Sequence, residues 1–295
     1  MSRKILIVAH TGRDEAVAAA LETCELLIAA GISPVMTAAE LADLRGSANS
    51  PAHLAAVNAV LELGADCQVS DLELAMVLGG DGTILRAAEL VRESQTALVG
   101  INLGHVGFLA ESERDGLRDA VARIAKSDYL VKERLALDVV VKVGTEVVYR
   151  TWALNEATVE KSARERMLEV VVEVDYRPLS SFGCDGVVMA TPTGSTAYAF
   201  SAGGPIVWPS VDALLLVPLS AHALFSRPLV INPDSMLAVE VLQRSAGHGV
   251  LWCDGRRSTE LPPGSRVEVT KSTTPVRLAR LHQNPFTDRL VKKFG

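Results

Sequence analysis

Aromatic residues are scarce in this sequence, at 4% of 295 residues, whereas apolar residues as a whole make up 48%. The hydrophobic core must therefore consist mainly of Ala, Val, Leu and Ile. Charged residues make up 22%, which is typical of globular proteins and excludes a disordered chain. A chain of this length can bury a substantial core and form one large or two modest domains.

Cysteine is also rare, and the four cysteines, at positions 24, 67, 184 and 253, include no CxxC pair. Neither a zinc site nor a disulfide framework is therefore expected, and free thiols fit a reducing cytoplasm. The apolar run at 5–9 is too short for a signal peptide. The apolar stretch at 204–225 is interrupted by prolines, an Asp and a His, so we expect buried strands and turns there rather than a membrane span.

Basic residues are fewer than acidic ones, and the formal net charge is −6. This charge argues against DNA or an anionic membrane as a partner, because both are held largely by long-range electrostatics. An anionic small molecule remains compatible with it, because backbone dipoles and a few basic side chains can bind phosphates. The common motifs of phosphate and hydrolytic chemistry are absent: GxxxxGK[ST], GxGxxG, the protein-kinase HRD and DFG, HExxH and GxSxG.

Residues 1–130 alternate strand and helix patterns, which predicts an α/β domain. The predicted elements are strands at 4–10, 72–78 and 97–102 and helices at 13–30, 51–64, 83–92 and 115–126. Ser50 and Pro51 supply an N-cap and a first-turn proline for the second of these helices, which we expect to end at Gly64.

From residue 131 the pattern changes to short β-rich runs separated by turn residues, which predicts a mostly β, sandwich-like domain over 131–275. The runs lie at 129–143, 146–154, 168–175, 187–190, 214–218, 236–242, 250–253 and 266–270. The remaining tail, 276–295, has a helical pattern at 284–294, and we expect it to pack against the first domain.

The sequence GGDGT at 79–83 directly follows a predicted buried strand and opens a predicted helix. Three glycines let a ligand approach the backbone closely, and a helix N-terminus favours phosphate. The Asp81 carboxylate would repel such an anion, so Asp81 either accepts a hydrogen bond from a sugar hydroxyl or meets phosphate through a cation. The alternative is that Asp81 only caps the helix.

Three further segments carry groups suited to a polar ligand. Asp185-Gly186 precedes TPTGSTAY at 191–198, whose four hydroxyl side chains either present donors to a ligand or form a Ser/Thr-rich turn. Asn155-Glu156 ends an apolar strand, and an amide beside a carboxylate can read the donors and acceptors of a base or ribose. The alternative for this pair is a solvated strand end. In NLGHVGFL at 102–109, Phe108 either stacks on a ligand or belongs to the core, and His105 is either a base or purely structural.

In their order and spacing, these motifs resemble the NAD kinase family: GGDGT, NxGxxGFL at 102–109, the NE pair and DG…TPTGSTAY at 185–198. GGDGT alone is shared with diacylglycerol-type lipid kinases. A lipid or polyol kinase is therefore the alternative enzyme, and a catalytically silent nucleotide-binding sensor is the alternative from another class. The segments at 200–209, 221–225 and 253–256 resemble the actinobacterial branch, whose members can use inorganic polyphosphate as well as ATP.

The resemblance implies a fold like that of NAD kinases and diacylglycerol kinases, and phosphoryl transfer from ATP or polyphosphate to the adenosine ribose 2′-hydroxyl of NAD, giving NADP. It implies that Asp81 is the catalytic base. The NAD-binding residues that it implies are Gly82, Arg86, Phe108, Asn155, Glu156, Arg166, Asp185, Thr196, Ala197, Tyr198, Ala199, Phe200 and Ser201. It further implies Mg²⁺ or Mn²⁺ arriving with the donor rather than held by a protein metal site. Finally, it implies a homodimer or homotetramer in which Asp185 faces the ligand of a neighbouring subunit.

Overall fold

The computed structural model describes residues 3–104, 107–164, 166–223, 226–282 and 285–294. The chain divides into two compact units, unit 1 (Met1–Glu133 with Val276–Gly295) and unit 2 (Arg134–Pro275). Each unit has a hydrophobic core of its own. Four residues singled out in the sequence, His105, Leu224, Phe225 and Asn284, lie outside the described residues.

The secondary structure follows the chain in this order. The helices are α1 (Asp14–Ala29), α2 (Ala38–Ser47), α3 (Pro51–Asn58), α4 (Asp81–Leu90), α5 (Leu117–Ala125), α6 (Tyr198–Ser201) and α7 (Phe286–Phe294). The strands are β1 (Lys4–Ala9), β2 (Ser33–Met36), β3 (Leu61–Glu62), β4 (Leu74–Leu78), β5 (Ala97–Asn102), β6 (Ser112–Glu113), β7 (Leu130–Arg134), β8 (Leu137–Val143), β9 (Glu146–Ala153), β10 (Glu156–Lys161), β11 (Leu168–Val174), β12 (Arg177–Cys184), β13 (Gly186–Ala190), β14 (Leu214–Leu219), β15 (Leu229–Ile231), β16 (Leu237–Val241), β17 (Gly249–Cys253), β18 (Arg257–Leu261), β19 (Ser265–Lys271) and β20 (Val276–Arg280). Within the described ranges, no helix combines the length and the apolar character needed to cross a membrane.

Unit 1 is built on one sheet with the strand order β3-β2-β1-β4-β5-β20-β7, in which β6 also pairs with β5. Strands β1 to β6 pair in parallel, and β20 is parallel to β5. Every residue of β4 and β5 is buried, as expected for parallel strands that are covered on both faces. The α/β class predicted for the N-terminal part is confirmed. Since β4 and β5 are parallel neighbours, the segments that follow them emerge at the same edge of the sheet.

Two features of unit 1 differ from the sequence-based expectation. Helix α3 begins as predicted, with the Ser50 hydroxyl accepting a hydrogen bond from the His53 N–H (3.1 Å), but it ends at Asn58 rather than at Gly64. The reason is tertiary pairing, because the next residues form β3 at the edge of the sheet, beside β2. Strand β20 was not predicted, and it brings the end of the chain into this sheet next to β5.

Unit 2 consists of two antiparallel sheets of six strands each, ordered β15-β14-β13-β10-β17-β18 and β12-β11-β16-β19-β8-β9. Side chains alternate between buried and partly exposed along β8 and β11, as in strands with one face on a core. Buried residues from both sheets meet in one apolar cluster. The predicted mostly β, sandwich-like domain is therefore confirmed.

Two predicted β-runs have different limits in the structure. The run at 129–143 is two strands, β7 and β8, which belong to different sheets. A continuous β-rich pattern cannot show where a chain leaves one sheet for another. Asn155-Glu156 follows the end of an apolar strand as predicted, but β9 ends at Ala153 and Glu156 begins the next strand, β10. The pair lies where the chain crosses between the two sheets of unit 2.

Candidate active site

Asp81 lies at the start of α4, just after the buried strand β4. The N-cap of this helix is Gly80 and Asp81 is its first helical residue, so the alternative in which Asp81 is the cap is wrong. Its carboxylate accepts hydrogen bonds from the backbone N–H groups of Phe108 (3.0 Å) and Leu109 (3.1 Å). A Cβ atom on Gly107 would collide with this carboxylate. We call Gly107, Phe108 and Leu109 the Asp81 cradle.

The cradle fixes the orientation of the carboxylate without using up its acceptor capacity. Each oxygen accepts one of the two backbone hydrogen bonds, and a carboxylate offers about four acceptor positions. Asp81 is partly exposed, so a ligand can reach it. The N-terminus of α4 favours anions, although the Thr83 N–H already donates to the Gly80 carbonyl (2.9 Å). This edge of the sheet can therefore hold a phosphate close to a fixed hydrogen-bond acceptor.

Two other predicted residues of unit 1 lie on α4. Gly82 is its second residue and is exposed. Arg86 donates from Nη2 to the carbonyl of Ala9 (2.7 Å) and to Oε1 of Glu40 (2.7 Å), whose side chain is only 3% exposed. Arg86 thus compensates a buried charge at the end of β1. Its contact with NAD stays a prediction.

Asn155 and Glu156 are held in place by a buried carboxylate in unit 2. Asp254 accepts hydrogen bonds from the backbone N–H groups of Leu154 (2.9 Å), Asn155 (2.7 Å) and Glu156 (3.3 Å). Its other partner is Arg257, at 2.9 Å, which also lies 4.6 Å from the ring centroid of Trp152. Asp254 was expected only as part of the 253–256 segment that resembles the actinobacterial branch, and this role was not predicted. The available signal was an acidic residue directly after an apolar strand and directly before a glycine.

Glu156 is a buried acid, 7% exposed, and its Oε2 atom has no hydrogen-bond partner among the described residues. Burial raises the pKa of Glu156 to about 8; the Asp254 charge adds to this shift, and the Tyr198 backbone N–H opposes it. The side chain is therefore mostly protonated at neutral pH and can both donate and accept. A buried oxygen without a partner indicates a place for a polar ligand group.

The TPTGSTAY segment packs directly under this pair. Thr191 donates from its hydroxyl to the Leu154 carbonyl (2.6 Å) and from its N–H to the Asn155 carbonyl (2.9 Å). A Cβ atom on Gly194 would collide with the same Asn155 carbonyl, so only glycine permits this approach. Ser195 is fully buried and accepts from the Val207 N–H (2.9 Å). The hydroxyls of Thr191, Ser195 and Thr196 donate to backbone carbonyls, so three of the four hydroxyls take part in a Ser/Thr-rich turn. Contact of this segment with a ligand stays a prediction.

The residues at 196–201 form a turn and the short helix α6. Tyr198, Phe200 and Ser201 are exposed, Thr196 and Ala197 are half-buried, and Ala199 is completely buried. The Ala199 side chain belongs to a small apolar cluster beneath the helix.

Two further predicted ligand residues of unit 2 already have protein partners. Asp185 forms an ion pair with Lys161 at 2.6 Å, which lowers the pKa of Asp185, and its side chain is 46% exposed. Arg166 is exposed and donates to the Ala246 carbonyl (2.8 Å). Their ligand contacts stay predictions.

The side chain of Phe108, as well as its backbone, makes contacts within unit 1. Its ring lies 6.2 Å from that of Phe286 and 5.5 Å from that of Phe294, centroid to centroid, and both partners belong to α7. The ring is thus part of an aromatic cluster, and stacking on a ligand stays a prediction. The described residues contain no group of three or more His, Cys, Asp or Glu side chains that could hold a metal ion.

Family models match both parts of the chain: the ATP-NAD kinase N-terminal domain over residues 5–129 and the ATP-NAD kinase C-terminal domain over residues 154–281. The fold is similar to that of a yeast NADH kinase complexed with NADH, with a TM-score of 0.86 and 23% identity over 99% of this chain and 86% of that one. It is also similar to an NAD kinase from Archaeoglobus fulgidus in complex with ATP, with a TM-score of 0.72 and 22% identity over 99% of this chain and 98% of that one.

Actinobacterial NAD kinases are much more similar in sequence. The chain is 64% identical to the NAD kinase of Leifsonia xyli subsp. xyli, over 99% of this chain and 94% of that protein. It is 58% identical to that of Thermobifida fusca (100% and 90%) and 50% identical to that of Mycobacterium tuberculosis (99% and 95%). The resemblance is therefore confirmed together with the predicted enzyme class: the chain belongs to the ATP-NAD kinase family.

Proposed function

We propose that the chain transfers a phosphoryl group from ATP to the adenosine ribose 2′-hydroxyl of NAD, giving NADP and ADP, with Asp81 as the general base. The observation that carries this proposal is the Asp81 carboxylate, fixed by two backbone amides at the N-terminus of α4. Phosphoryl transfer needs an oriented hydroxyl next to a phosphate. The Asp81 carboxylate can accept a hydrogen bond from the hydroxyl, and the N-terminus of α4 favours a phosphate beside it.

The chemistry determines when Asp81 acts. A ribose hydroxyl is far too weak an acid to lose its proton to a carboxylate before the reaction begins. Asp81 therefore orients the 2′-hydroxyl and accepts its proton late, while the 2′-oxygen bonds to phosphorus and the bond from phosphorus to the ADP oxygen breaks. Because the cradle holds the carboxylate in advance, little reorganisation is needed at the moment of transfer.

Asn155 and Glu156 are proposed to hold the adenosine part of NAD. The Oε2 atom of Glu156 has no partner among the described residues, and a ribose hydroxyl would supply one. The exposed rings of Tyr198 and Phe200 offer apolar area beside them. The remaining contacts that we propose are those of Gly82, Arg86, Phe108, Arg166, Asp185, Thr196, Ala197, Ala199 and Ser201.

A divalent cation, Mg²⁺ or Mn²⁺, is proposed to be bound mainly by the phosphates of the donor. Asp81 is the only carboxylate in GGDGT. The cation would neutralise donor charge that Asp81 otherwise opposes. Inorganic polyphosphate is proposed as a second donor, because it presents the same phosphoanhydride group.

We also propose that the protein is a cytoplasmic homo-oligomer, a dimer or a tetramer, in which Asp185 faces the ligand of a neighbouring subunit. The four cysteines are free and buried, as suits a reducing compartment. The apolar segment at 205–225 leaves large side chains exposed, with Trp208 at 44% and Val211 at 49%. Permanent interfaces bury apolar surface of this kind.

The proposal is tested by incubating the protein with NAD, ATP and Mg²⁺ and detecting NADP with an NADP-specific dehydrogenase. Asp81→Asn should lower kcat by about 10²–10⁴-fold, the usual loss when a general base is removed. Asn155→Ala should instead raise KM for NAD, because it removes contacts made in both the ground and the transition state. Asp234→Asn, at an exposed position of unit 2, is the control.

Each alternative gives a different result in the same assay. A lipid or polyol kinase would consume ATP only with its own substrate and form no NADP. A silent sensor would bind NAD without any turnover. Near-normal kcat of Asp81→Asn at saturating NAD and ATP would remove Asp81 from the mechanism.

A further inference from the structure

The Asp81 cradle is connected to the C-terminal helix by one arginine. Arg289 of α7 donates from Nη1 to the carbonyl oxygen of Phe108 (2.5 Å) and from Nη2 to Oε1 of Glu111 (2.5 Å). Its side chain is only 13% exposed, and that of Glu111 is 2% exposed. Charge-assisted hydrogen bonds of this kind are strong and directional.

The Phe108 carbonyl belongs to the same peptide group as the Leu109 N–H, which donates to Asp81. The described backbone has no cis peptide, so this peptide group is planar and its C=O and N–H point in opposite directions. Arg289 and Asp81 therefore bind opposite ends of one rigid group. A rotation of the plane that breaks the first contact also misdirects the second.

Glu111 in turn fixes Arg289. Besides Arg289, its carboxylate binds Arg280 at 2.5 Å and accepts a hydrogen bond from the Leu281 N–H (3.2 Å). The N–H of Glu111 donates to the Gly100 carbonyl on β5 (2.7 Å). The guanidinium that holds the peptide is thus anchored to the sheet from which the cradle loop emerges.

We propose that Arg289 is a positioning residue for catalysis: it sets the orientation of the 108–109 peptide and, through it, of the Asp81 carboxylate. The proposal rests on the proposed role of Asp81 as the base. Arg289 does not touch the reacting atoms, and it acts by keeping the acceptor where the 2′-hydroxyl needs it. The α7 rings of Phe286 and Phe294 pack against Phe108 of the same loop.

Arg289→Ala should lower kcat by about 10–100-fold, the scale of loss when a catalytic group is displaced by about 1 Å. The Kd for NAD, measured by calorimetry, should stay within about twofold, since Asn155 and Glu156 are unchanged. Arg289→Lys should recover part of kcat, because an ammonium group can bind the carbonyl but cannot bridge it to Glu111 in the same fork. Lys292→Ala is the matched control, since Lys292 lies on the same helix and forms an exposed ion pair with Glu113 (3.3 Å).

A double-mutant cycle separates positioning from general damage. In an Asp81→Asn background, Arg289→Ala should cause little further loss of single-turnover rate, because the group that it positions has already lost its function. An equal fold-loss in both backgrounds, or a kcat of Arg289→Ala equal to that of Lys292→Ala, would overturn the inference alone. Near-normal kcat of Asp81→Asn would overturn the proposed function and this inference together. The melting temperatures of all variants show whether a loss of activity is due to unfolding. Arg289→Lys is the milder change at this position.

Discussion

Replacing Asp254 by Asn changes the support of the Asn155-Glu156 pair while keeping the size of the side chain. The wild-type carboxylate accepts three backbone hydrogen bonds and pairs with Arg257. An amide has only one acceptor oxygen. If that oxygen stays with the Asn155 and Glu156 N–H groups, the NH₂ group faces two donors, the Leu154 N–H and the Arg257 guanidinium.

The expected loss of stability follows from these contacts. Removing one partner of a buried ion pair costs about 3–5 kcal/mol. The low end applies here, because burial raises the pKa of Asp254 and removing its charge relieves part of that desolvation cost. At about 2–4 °C per kcal/mol for a protein of this size, a loss of about 3 kcal/mol lowers the melting temperature of unit 2 by about 6–12 °C.

The assay combines thermal melts with steady-state kinetics. We expect Asp254→Asn to melt earlier and to have a higher KM for NAD, because the backbone that carries Asn155 and Glu156 is less well fixed. Asp234→Asn also removes one carboxylate from unit 2, but at an exposed position, and should match the wild type. A melting temperature and KM of Asp254→Asn that both equal those of this control would refute the reasoning.

Three further predictions concern pH, metal and assembly. The pKa of Glu156 is raised from an ordinary 4.5 to about 8, so the folded state binds the extra proton and this contribution to stability is lost as pH rises between the two values. The difference in melting temperature between Glu156→Gln and the wild type should therefore shift in favour of the variant as pH rises from about 5 to about 8.5. A difference that stays constant over this range would contradict this assignment. Exhaustive chelation should abolish turnover with ATP, since a polyanion next to Asp81 needs a counter-charge; full activity after chelation would exclude the requirement. Light scattering at micromolar concentration and physiological salt should show a dimer or tetramer, and a species of only 31.4 kDa would rule out the proposed assembly.

Local sequence patterns predicted those secondary-structure elements that are determined by residues close together in the chain. A buried apolar run followed by GGDGT predicted a strand, a tight turn and a helix, and β4 and α4 lie there. The change from helical to alternating spacing near residue 131 predicted the two kinds of architecture. Ser50 before Pro51 predicted a capped helix start, which the structure has.

Contacts between residues distant in sequence were not predictable in the same way. The residues of β20 form a short β-rich segment like others in the second half, and only pairing with β5 assigns them to the sheet of unit 1. Asp254 lies about 100 residues from the three N–H groups that it accepts from. The hydroxyls of Thr191 and Ser195 have the same sequence signal whether they bind a ligand or the backbone.

Unit 1 is discontinuous in the chain, and this affects the order in which it can fold during synthesis. Residues 276–294, which supply β20 and α7, leave the ribosome after all of unit 2. Until then β5 lacks its pairing with β20, and an unpaired stretch of strand edge can pair with another chain. Arg289 likewise reaches Phe108 only after all of unit 2 has been synthesised, so the nascent chain carries GGDGT long before this contact with the cradle loop can form.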